Sequence, residues 1–87
     1  MTSELHQRLA EKMAGEITLS DSPGKALKKW RMAFEIPAAV LAEEMGMSPS
    51  VISDYESGRR RSPGTAVVGR IVDTILAIDR KNGGKFI

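Results

Sequence analysis

The chain has 87 residues, of which 41% are hydrophobic, and a formal net charge of +2, so it holds one globular domain with one modest core. It contains no cysteine, which excludes disulfides and thiolate metal sites. No apolar run approaches the roughly 20 residues of a membrane span, and the N-terminus lacks the apolar segment of a signal peptide, so we expect a cytoplasmic location.

The N-terminal segment predicts an amphipathic helix over residues 2–14. Its apolar stripe repeats every four residues and consists of Leu5, Leu9 and Met13. Gly15 is expected to end this helix, and residues 16–20 alternate polar and apolar side chains as a short extended connector would. A stripe this narrow needs a partner, which is either the rest of the domain or a second subunit. We therefore assign residues 1–22 to an N-terminal helix and connector.

A second helix is predicted from Pro23 to about Phe34, with Ser22 as its cap. Positions i, i+3, i+4 and i+7 share one face of this helix, and they hold Leu27, Trp30, Arg31 and Phe34. Arg31 is thus a cation on an apolar face, so it needs a partner or must extend its head into water. The same helix carries a cluster that is either a solvated surface or a contact for an anionic partner, and this cluster consists of Lys25, Lys28 and Lys29.

Residues 37–63 contain two short helices, a tight turn between them and a basic loop. The first helix is predicted over residues 37–45. Its side chains expected to face inward are Val40, Leu41 and Met45. Gly46 can take the left-handed conformation that ends a helix, and Ser48 and Pro49 suit the cap and first position of the next one. Two helices joined this closely form a helix-turn-helix arrangement, whose second helix can enter the major groove of DNA.

The second short helix is predicted over residues 49–57 and has two distinct faces. Its apolar face consists of Val51, Ile52 and Tyr55, and its opposite face of Ser50, Ser53, Asp54 and Ser57. Short polar side chains suit close approach to a nucleic-acid groove, but an ordinary amphipathic surface helix shows the same division. Gly58 ends the helix, and the arginine triplet of residues 59–61 then favours contact with phosphate groups.

The strongest helical pattern in the sequence spans residues 65–81. Its apolar positions repeat at i, i+1, i+4 and i+5, and they are Val67, Val68, Ile71, Val72, Ile75 and Leu76. Asn82 and Gly83 are expected to end this helix. Residues 83–87 form a tail with apolar side chains at its end, which is compatible with a longer native chain.

Several of these residues together resemble the XRE class of helix-turn-helix domains, which includes the phage repressors and Cro. The matching positions are Leu41-Ala42, Gly46-Met47-Ser48, Val51-Ile52-Ser53, Tyr55-Glu56, Gly58 and Arg60 to Pro63. The resemblance covers roughly residues 24–79, and the sequence around it is similar to archaeal transcriptional regulators of this class. It implies an all-α bundle of about five helices, with a helix-turn-helix domain over residues 23–82 and an additional N-terminal helix. Residues 37–45 would be the scaffold helix and residues 49–57 the recognition helix.

By position, the resemblance also implies three groups of functional residues. Base-edge contacts would come from Ser48, Pro49, Ser50, Ser53 and Asp54. Phosphate contacts would come from the start of the scaffold helix and from Lys28, Lys29, Ser57, Arg59, Arg60 and Arg61. A structural ion pair would join Arg31 to Glu56, which gives the arginine on the apolar face its partner. No cofactor, metal or small-molecule site is expected.

Two positions depart from the pattern of the class. The class often has glutamine at the second residue of the scaffold helix, where it contacts phosphate and supports the recognition helix, but this chain has Ala38. Asp54 is acidic where a groove-reading polar side chain is common. Its carboxylate can accept a hydrogen bond from cytosine N4, or it can brace an arginine of the triplet at residues 59–61.

The resulting hypothesis is a transcriptional regulator that binds double-stranded DNA sequence-specifically, with residues 49–57 in the major groove. It predicts a repressor-like homodimer, located at the nucleoid, whose recognition helices lie one DNA turn apart. The alternative is a protein–protein adaptor of the same fold, which Ala38, Asp54 and the small net charge favour and the arginine triplet opposes. An enzyme is not expected, because His6 is the only histidine and no nucleophile–base pair is detectable.

Overall fold

The computed structural model describes residues 4–60 and 64–84, and this part of the chain forms five α-helices and no strand. The helices are α1 (Glu4–Leu19), α2 (Pro23–Ala33), α3 (Ala38–Met45), α4 (Pro49–Ser57) and α5 (Thr65–Lys81). The predicted all-α class and the bundle of about five helices are confirmed. The bounds of α4 and α5 agree with the prediction, whereas α2 ends one residue earlier and α3 begins one residue later. Within the described ranges, no helix is long and apolar enough to cross a lipid bilayer.

The first helix is longer than the sequence pattern predicts. α1 continues through Gly15 to Leu19, so the predicted helix end at Gly15 and the extended connector over residues 16–20 are both wrong. Ile17 follows Met13 by four residues and extends the apolar stripe, and these side chains are 1% and 0% exposed. A glycine inside a helix costs about 1 kcal/mol relative to alanine, whereas full burial of an isoleucine side chain stabilises by about 1.5–3 kcal/mol. Burial of Ile17 therefore outweighs the helix-ending tendency of Gly15.

The apolar stripe of α1 finds its partner within the same chain. α1 packs mainly against α5 and also against α2. Met13 and Ile17 belong to the central core, and Leu9 packs against that core. The rest of the domain therefore provides a partner for this stripe. The side chains of Leu5 and His6 lie outside the described part of the structure.

The last helix supplies the largest share of the core. Its buried hydrophobic residues are Val68, Ile71, Val72, Ile75, Leu76 and Ile78. Leu27 of α2 and Phe34 directly after its end are buried, and Trp30 packs against the same core, as the predicted inward face requires. Asp79 of α5 is also buried, with 3% of its surface exposed, at a position that the apolar pattern did not identify.

In the short helix α3, the orientation of one residue differs from the prediction. Val40 is 39% exposed, so its predicted inward orientation is wrong. The buried residues of α3 are Leu41, Ala42 and Met45. Together with the half-buried Ala38 they follow the i, i+3, i+4, i+7 spacing of one helix face, which leaves Val40 on the outer side.

Candidate nucleic-acid interface

The turn between α3 and α4 depends on Gly46. This residue has a φ of 71°, in the left-handed region that glycine enters without a steric cost from Cβ. The amide of Met47 donates to the carbonyl oxygen of Ala42 at 2.9 Å, which ties the turn back to α3. The chain then enters α4 at Pro49, and α4 ends in the same way at Gly58, whose φ is 82°. The two helices are therefore held as a closely joined pair.

Ser48 occupies the N-cap position of α4, but its side chain makes no capping hydrogen bond. Its hydroxyl group instead lies 3.0 Å from that of Ser50. Ser22 at the start of α2 likewise makes no side-chain cap. Pro49 occupies the first position of α4 as predicted, where its missing N–H removes a donor that would otherwise lack a partner. The start of α4 thus presents Ser48, Pro49 and Ser50 on the exposed surface.

The fourth helix has one buried and one exposed face, as predicted. Ile52 is fully buried, and Val51 and Tyr55 are half-buried beside it. The opposite face consists of the exposed Ser50, Ser53 and Ser57 and the half-buried Asp54. All five residues predicted to contact base edges are therefore at the surface on or next to α4, and Asp54 is the least exposed of them.

Asp54 lies next to the loop that follows α4. Its Oδ1 atom is 3.9 Å from Nη1 of Arg59, at the outer limit of an ion pair. The side chain of Arg59 is 78% exposed, so solvent screens this pair and it adds little to stability. The carboxylate is itself 32% exposed. The geometry thus allows Asp54 to brace Arg59 while it stays partly open to solvent.

The two arginines that directly follow Gly58 are anchored to the end of α4. The amide of Arg60 donates to the carbonyl oxygen of Asp54 at 3.2 Å, and the amide of Arg59 donates to Oγ of Ser57 at 3.4 Å. The guanidinium carbon of Arg60 lies 5.7 Å from the ring centroid of Tyr55, within the range of a cation–π interaction. Both arginines are exposed, so their charges face solvent from a backbone that is tied to the helix. Arg61, the third member of the triplet, lies outside the described residues.

The two lysines predicted to contact phosphate have different surroundings. Nζ of Lys29 is 2.6 Å from Oε1 of Glu16 on α1 and 5.3 Å from the ring centroid of Trp30. Lys28 is exposed, and it has no ion-pair partner among residues 4–60 and 64–84. The Glu16–Lys29 pair is not predicted from the sequence, because the prediction places Glu16 in an extended connector.

The arginine on the apolar face of α2 is paired with α4. Nε and Nη2 of Arg31 donate to the two carboxylate oxygens of Glu56 at 2.7 and 2.9 Å, and Nη1 donates to the carbonyl oxygen of Ile36 at 2.8 Å. The side chains of Arg31 and Glu56 are 12% and 8% exposed, so this bidentate pair is largely withdrawn from water. The predicted ion pair is thus present in the structure.

The contacts of Arg31 favour its charged form. The hydrogen bonds to Glu56 raise the pKa of Arg31 above its ordinary value, although burial alone would lower it. Because the pKa is raised in the folded state, the stabilisation from Arg31 is complete below the ordinary arginine pKa. It is lost only when the pH rises through the raised value.

The first turn of α2 lies directly against the last turn of α4. A Cβ atom added at Gly24 would be 2.2 Å from the carbonyl oxygen of Tyr55 and 2.8 Å from that of Glu56. Both distances are far inside van der Waals contact, so only glycine fits here without movement of the backbone. The sequence suggested a helix start around Gly24 but not this contact, because its partners lie far along the chain.

The site as a whole offers positive charge and short hydrogen-bonding groups on neighbouring helices. The serine-rich face and the loop arginines are continuous at the end of α4, and the lysines lie on α2, which packs against α4. Among the residues that the structure describes, no three His, Asp or Glu side chains are grouped as a metal site would require. These features suit the binding of a polyanion that also presents hydrogen-bonding groups.

The sequence of this chain is similar to those of known proteins. A helix-turn-helix family model matches residues 27–75, which include α3 and α4. The chain is 44% identical over 81 residues to an uncharacterized HTH-type transcriptional regulator of Methanocaldococcus jannaschii, covering 93% of this chain and 34% of that protein. It is 48% identical over 75 residues to an uncharacterized HTH-type transcriptional regulator of Archaeoglobus fulgidus, covering 86% of this chain and 32% of that protein. No solved structure matches significantly.

The comparisons confirm the resemblance drawn from the residues of α3 and α4. The family match covers more than half of the chain and begins within α2, so α1 lies outside it. The alignment with the M. jannaschii protein includes nearly all of this chain. This chain spans about a third of the length of the curated relatives that it matches. It belongs to the helix-turn-helix family.

Proposed function

We propose that this chain is the DNA-binding part of a transcriptional regulator and that it binds double-stranded DNA sequence-specifically, with α4 in the major groove. One observation carries the proposal: an exposed face of short polar side chains on α4 continues into exposed, anchored arginines at residues 59 and 60. Both relatives are called HTH-type transcriptional regulators, which supports the same function here. A short helix held on a rigid partner helix suits insertion into the major groove.

Contacts to phosphate supply most of the binding free energy in this proposal. Arg59, Arg60 and Lys28 are exposed, and each can neutralise a phosphate group. Lys29 contributes less, because its ammonium group is already held by Glu16. The backbone at Arg59 and Arg60 is held by hydrogen bonds to Ser57 and Asp54, so these two residues lose little backbone entropy when they bind.

Contacts to base edges supply the specificity. Ser48, Ser50 and Ser53 can each donate and accept one hydrogen bond, and Pro49 offers an apolar contact to a thymine methyl group. None of these side chains makes the bidentate contacts of Arg, Asn or Gln, so direct readout is modest and DNA shape contributes. Asp54 accepts from cytosine N4 or holds Arg59, and the distance of 3.9 Å to Arg59 supports the second role.

The proposed assembly is a homodimer on a palindromic site. Two recognition helices would lie about 34 Å apart, which is one turn of DNA. Met13 and Ile17 of α1 are buried within the chain, so these two side chains are not available for a dimer contact. The site of action is the nucleoid, in the cytoplasm. No part of the proposal requires a cofactor or catalysis.

Selection of bound duplexes from a random pool, followed by gel-shift measurements across a salt series, tests this function. We expect an enriched sequence with two symmetric half-sites about 10 base pairs apart. If Lys28 and the three loop arginines each contact one phosphate, the slope of log affinity against log salt is about −3.6 per subunit. No enrichment, together with binding that salt does not weaken, would contradict the proposal.

A protein–protein adaptor is the second candidate. Two ion pairs favour it, because Glu16 and Asp54 partly neutralise Lys29 and Arg59, which would otherwise face phosphate. The same gel-shift series separates the two functions. An adaptor would leave every duplex unshifted even at about 50 mM salt, where electrostatic binding to DNA is strong, while circular dichroism showed a folded helical protein.

A further inference from the structure

The contact between α2 and α4 has one position where a single residue type decides the geometry. Gly24 lies in the first turn of α2, and the carbonyl groups of Tyr55 and Glu56 lie in the last turn of α4. A methyl group at Gly24 would be 2.2 and 2.8 Å from these two oxygens. Both obstructing atoms are backbone atoms, so no side-chain rotation can relieve the overlap. Any larger residue must push α4 away from α2.

A side chain from the same turn of α4 makes a second contact with α2. Arg31 follows Gly24 by seven residues, or about 10 Å along the axis of α2. The guanidinium group of Arg31 takes both carboxylate oxygens of Glu56. Gly24 therefore sets how closely the backbone of the last turn approaches α2, and Arg31 fixes the direction of the Glu56 side chain. The charges also suit this contact, since the negative end of the α4 dipole meets the positive end of α2.

This contact lies between two groups that must reach one DNA duplex together. Lys28 belongs to α2, whereas the serine-rich face and the loop arginines belong to α4 and its end. The spacing of the two helices therefore fixes how far the phosphate contact of α2 lies from the base-reading face of α4. A shift of about an ångström is enough to weaken hydrogen bonds to base edges, because these bonds depend steeply on distance and angle.

We propose that Gly24 is a positioning residue for DNA recognition: it sets the spacing of α2 and α4 and thereby the register of base contacts against phosphate contacts. This inference rests on the proposed function. It assigns a specificity role to a residue that lies outside the predicted base and phosphate contacts. It also predicts that a methyl group at this one position damages sequence preference more than overall attraction to DNA.

The chain offers two matched controls. Gly15 in α1 and Gly69 in α5 also lie within helices, and a Cβ atom added at either would meet no heavy atom within 4 Å. Alanine at both positions favours the helical conformation, because glycine has more freedom to lose on folding. The double variant Gly15→Ala/Gly69→Ala is therefore a stabilised reference protein. Because this reference protein is stabilised, it can carry Gly24→Ala and remain folded for binding measurements although that substitution disturbs packing.

The experiment compares the reference protein with the same protein carrying Gly24→Ala. The affinity of each protein is measured for the duplex selected by the natural chain and for a scrambled duplex of the same length. The temperature is well below the melting temperature of both proteins. A separate titration gives the fraction of each protein that is active in binding. We expect Gly24→Ala to lower the ratio of the two affinities by roughly tenfold, comparable with the effect of one mismatched base pair. Affinity for the scrambled duplex should change less than about twofold, because the charges that hold phosphate are unchanged.

The outcomes separate the inference from the proposed function. A fall in active fraction with an unchanged affinity ratio would show that Gly24 acts through stability alone and would overturn the inference. A fall in the ratio at full active fraction supports it. If the reference protein itself does not distinguish the selected duplex from the scrambled one, the proposed function fails, whatever Gly24→Ala does.

Discussion

The two faces of α4 are held by different kinds of contact. On the inner face, Ile52 is fully buried and Glu56 makes a bidentate ion pair with Arg31. On the outer face, Ser50 and Ser53 are exposed, and the hydroxyl of Ser50 lies 3.0 Å from that of Ser48. Within this helix of nine residues, the side chains that stabilise the fold are thus separate from those that face solvent. Changes on the inner face should act through folding, and changes on the outer face through binding.

The largest expected effect comes from breaking the buried ion pair. In Arg31→Met, the carboxylate of Glu56 stays buried without a partner, which should lower the free energy of unfolding by about 3–5 kcal/mol. Urea denaturation followed by circular dichroism measures this loss.

The matched control for this change is Arg8→Met. Arg8 pairs with Glu4 on α1 at 2.8 Å, but the two side chains are 73% and 78% exposed. Loss of this pair should cost less than about 0.5 kcal/mol because solvent screens it. Equal losses in the two variants would mean that burial does not distinguish the inner face.

Two neighbouring residues allow the faces to be compared directly. Ile52→Ala should destabilise the protein by about 2–5 kcal/mol, because it leaves a cavity in the core. Ser53→Ala, one residue later on the exposed face, should change stability by less than about 0.5 kcal/mol. Thermal and urea unfolding of both variants provide the measurement. A large loss of stability in Ser53→Ala would mean that this side chain stabilises the fold.

The loop arginines should affect affinity without affecting the fold. Arg60→Gln removes one exposed charge, so binding to every duplex should weaken alike and the salt slope should fall by about 0.9. The loss of its contact with the ring of Tyr55 should cost at most about 1 kcal/mol of stability. Arg8→Gln on α1 removes the same charge away from the interface and should leave the slope unchanged. Gel shifts across a salt series compare the two variants.

The smallest effect is expected from single serines of the reading face. Ser50→Ala removes at most one hydrogen bond to a base edge, worth about 0.5–1.5 kcal/mol, at one position of the site. Selection of duplexes with this variant should relax the preference at that position and preserve the others. A uniform loss of affinity over all duplexes would mean that Ser50 contacts phosphate instead.

Local rules were sufficient to predict much of this site. Gly46 and Pro49 define the turn between α3 and α4, and the spacing of Ile52 and its neighbours defines the buried face of α4. The pairing of Arg31 with Glu56 followed from a cation on an apolar helix face together with the family resemblance. The turn and the buried face depend on residues that are close in sequence. The ion pair depends on the need of a cation on an apolar helix face for an anionic partner.

Contacts between distant residues were not predictable in the same way. The continuation of α1 through Gly15 depends on the burial of Ile17 against other helices. The approach of Gly24 to the end of α4 depends on how two helices cross, which no local pattern encodes. The burial of Asp79 and the exposure of Val40 likewise reflect the placement of their helices in the bundle.

Titration of the isotope-labelled protein with the selected duplex, followed by amide chemical shifts in NMR spectra, tests the separation of the two faces most directly. We expect large shifts at the outer residues Ser48, Ser50, Ser53 and Asp54, and also at Arg59 and Arg60. Small shifts are expected along α1 and at the residues of the buried core. Shifts concentrated on α1 or α5, with the start of α4 unchanged, would contradict the claim that the outer face of α4 reads DNA.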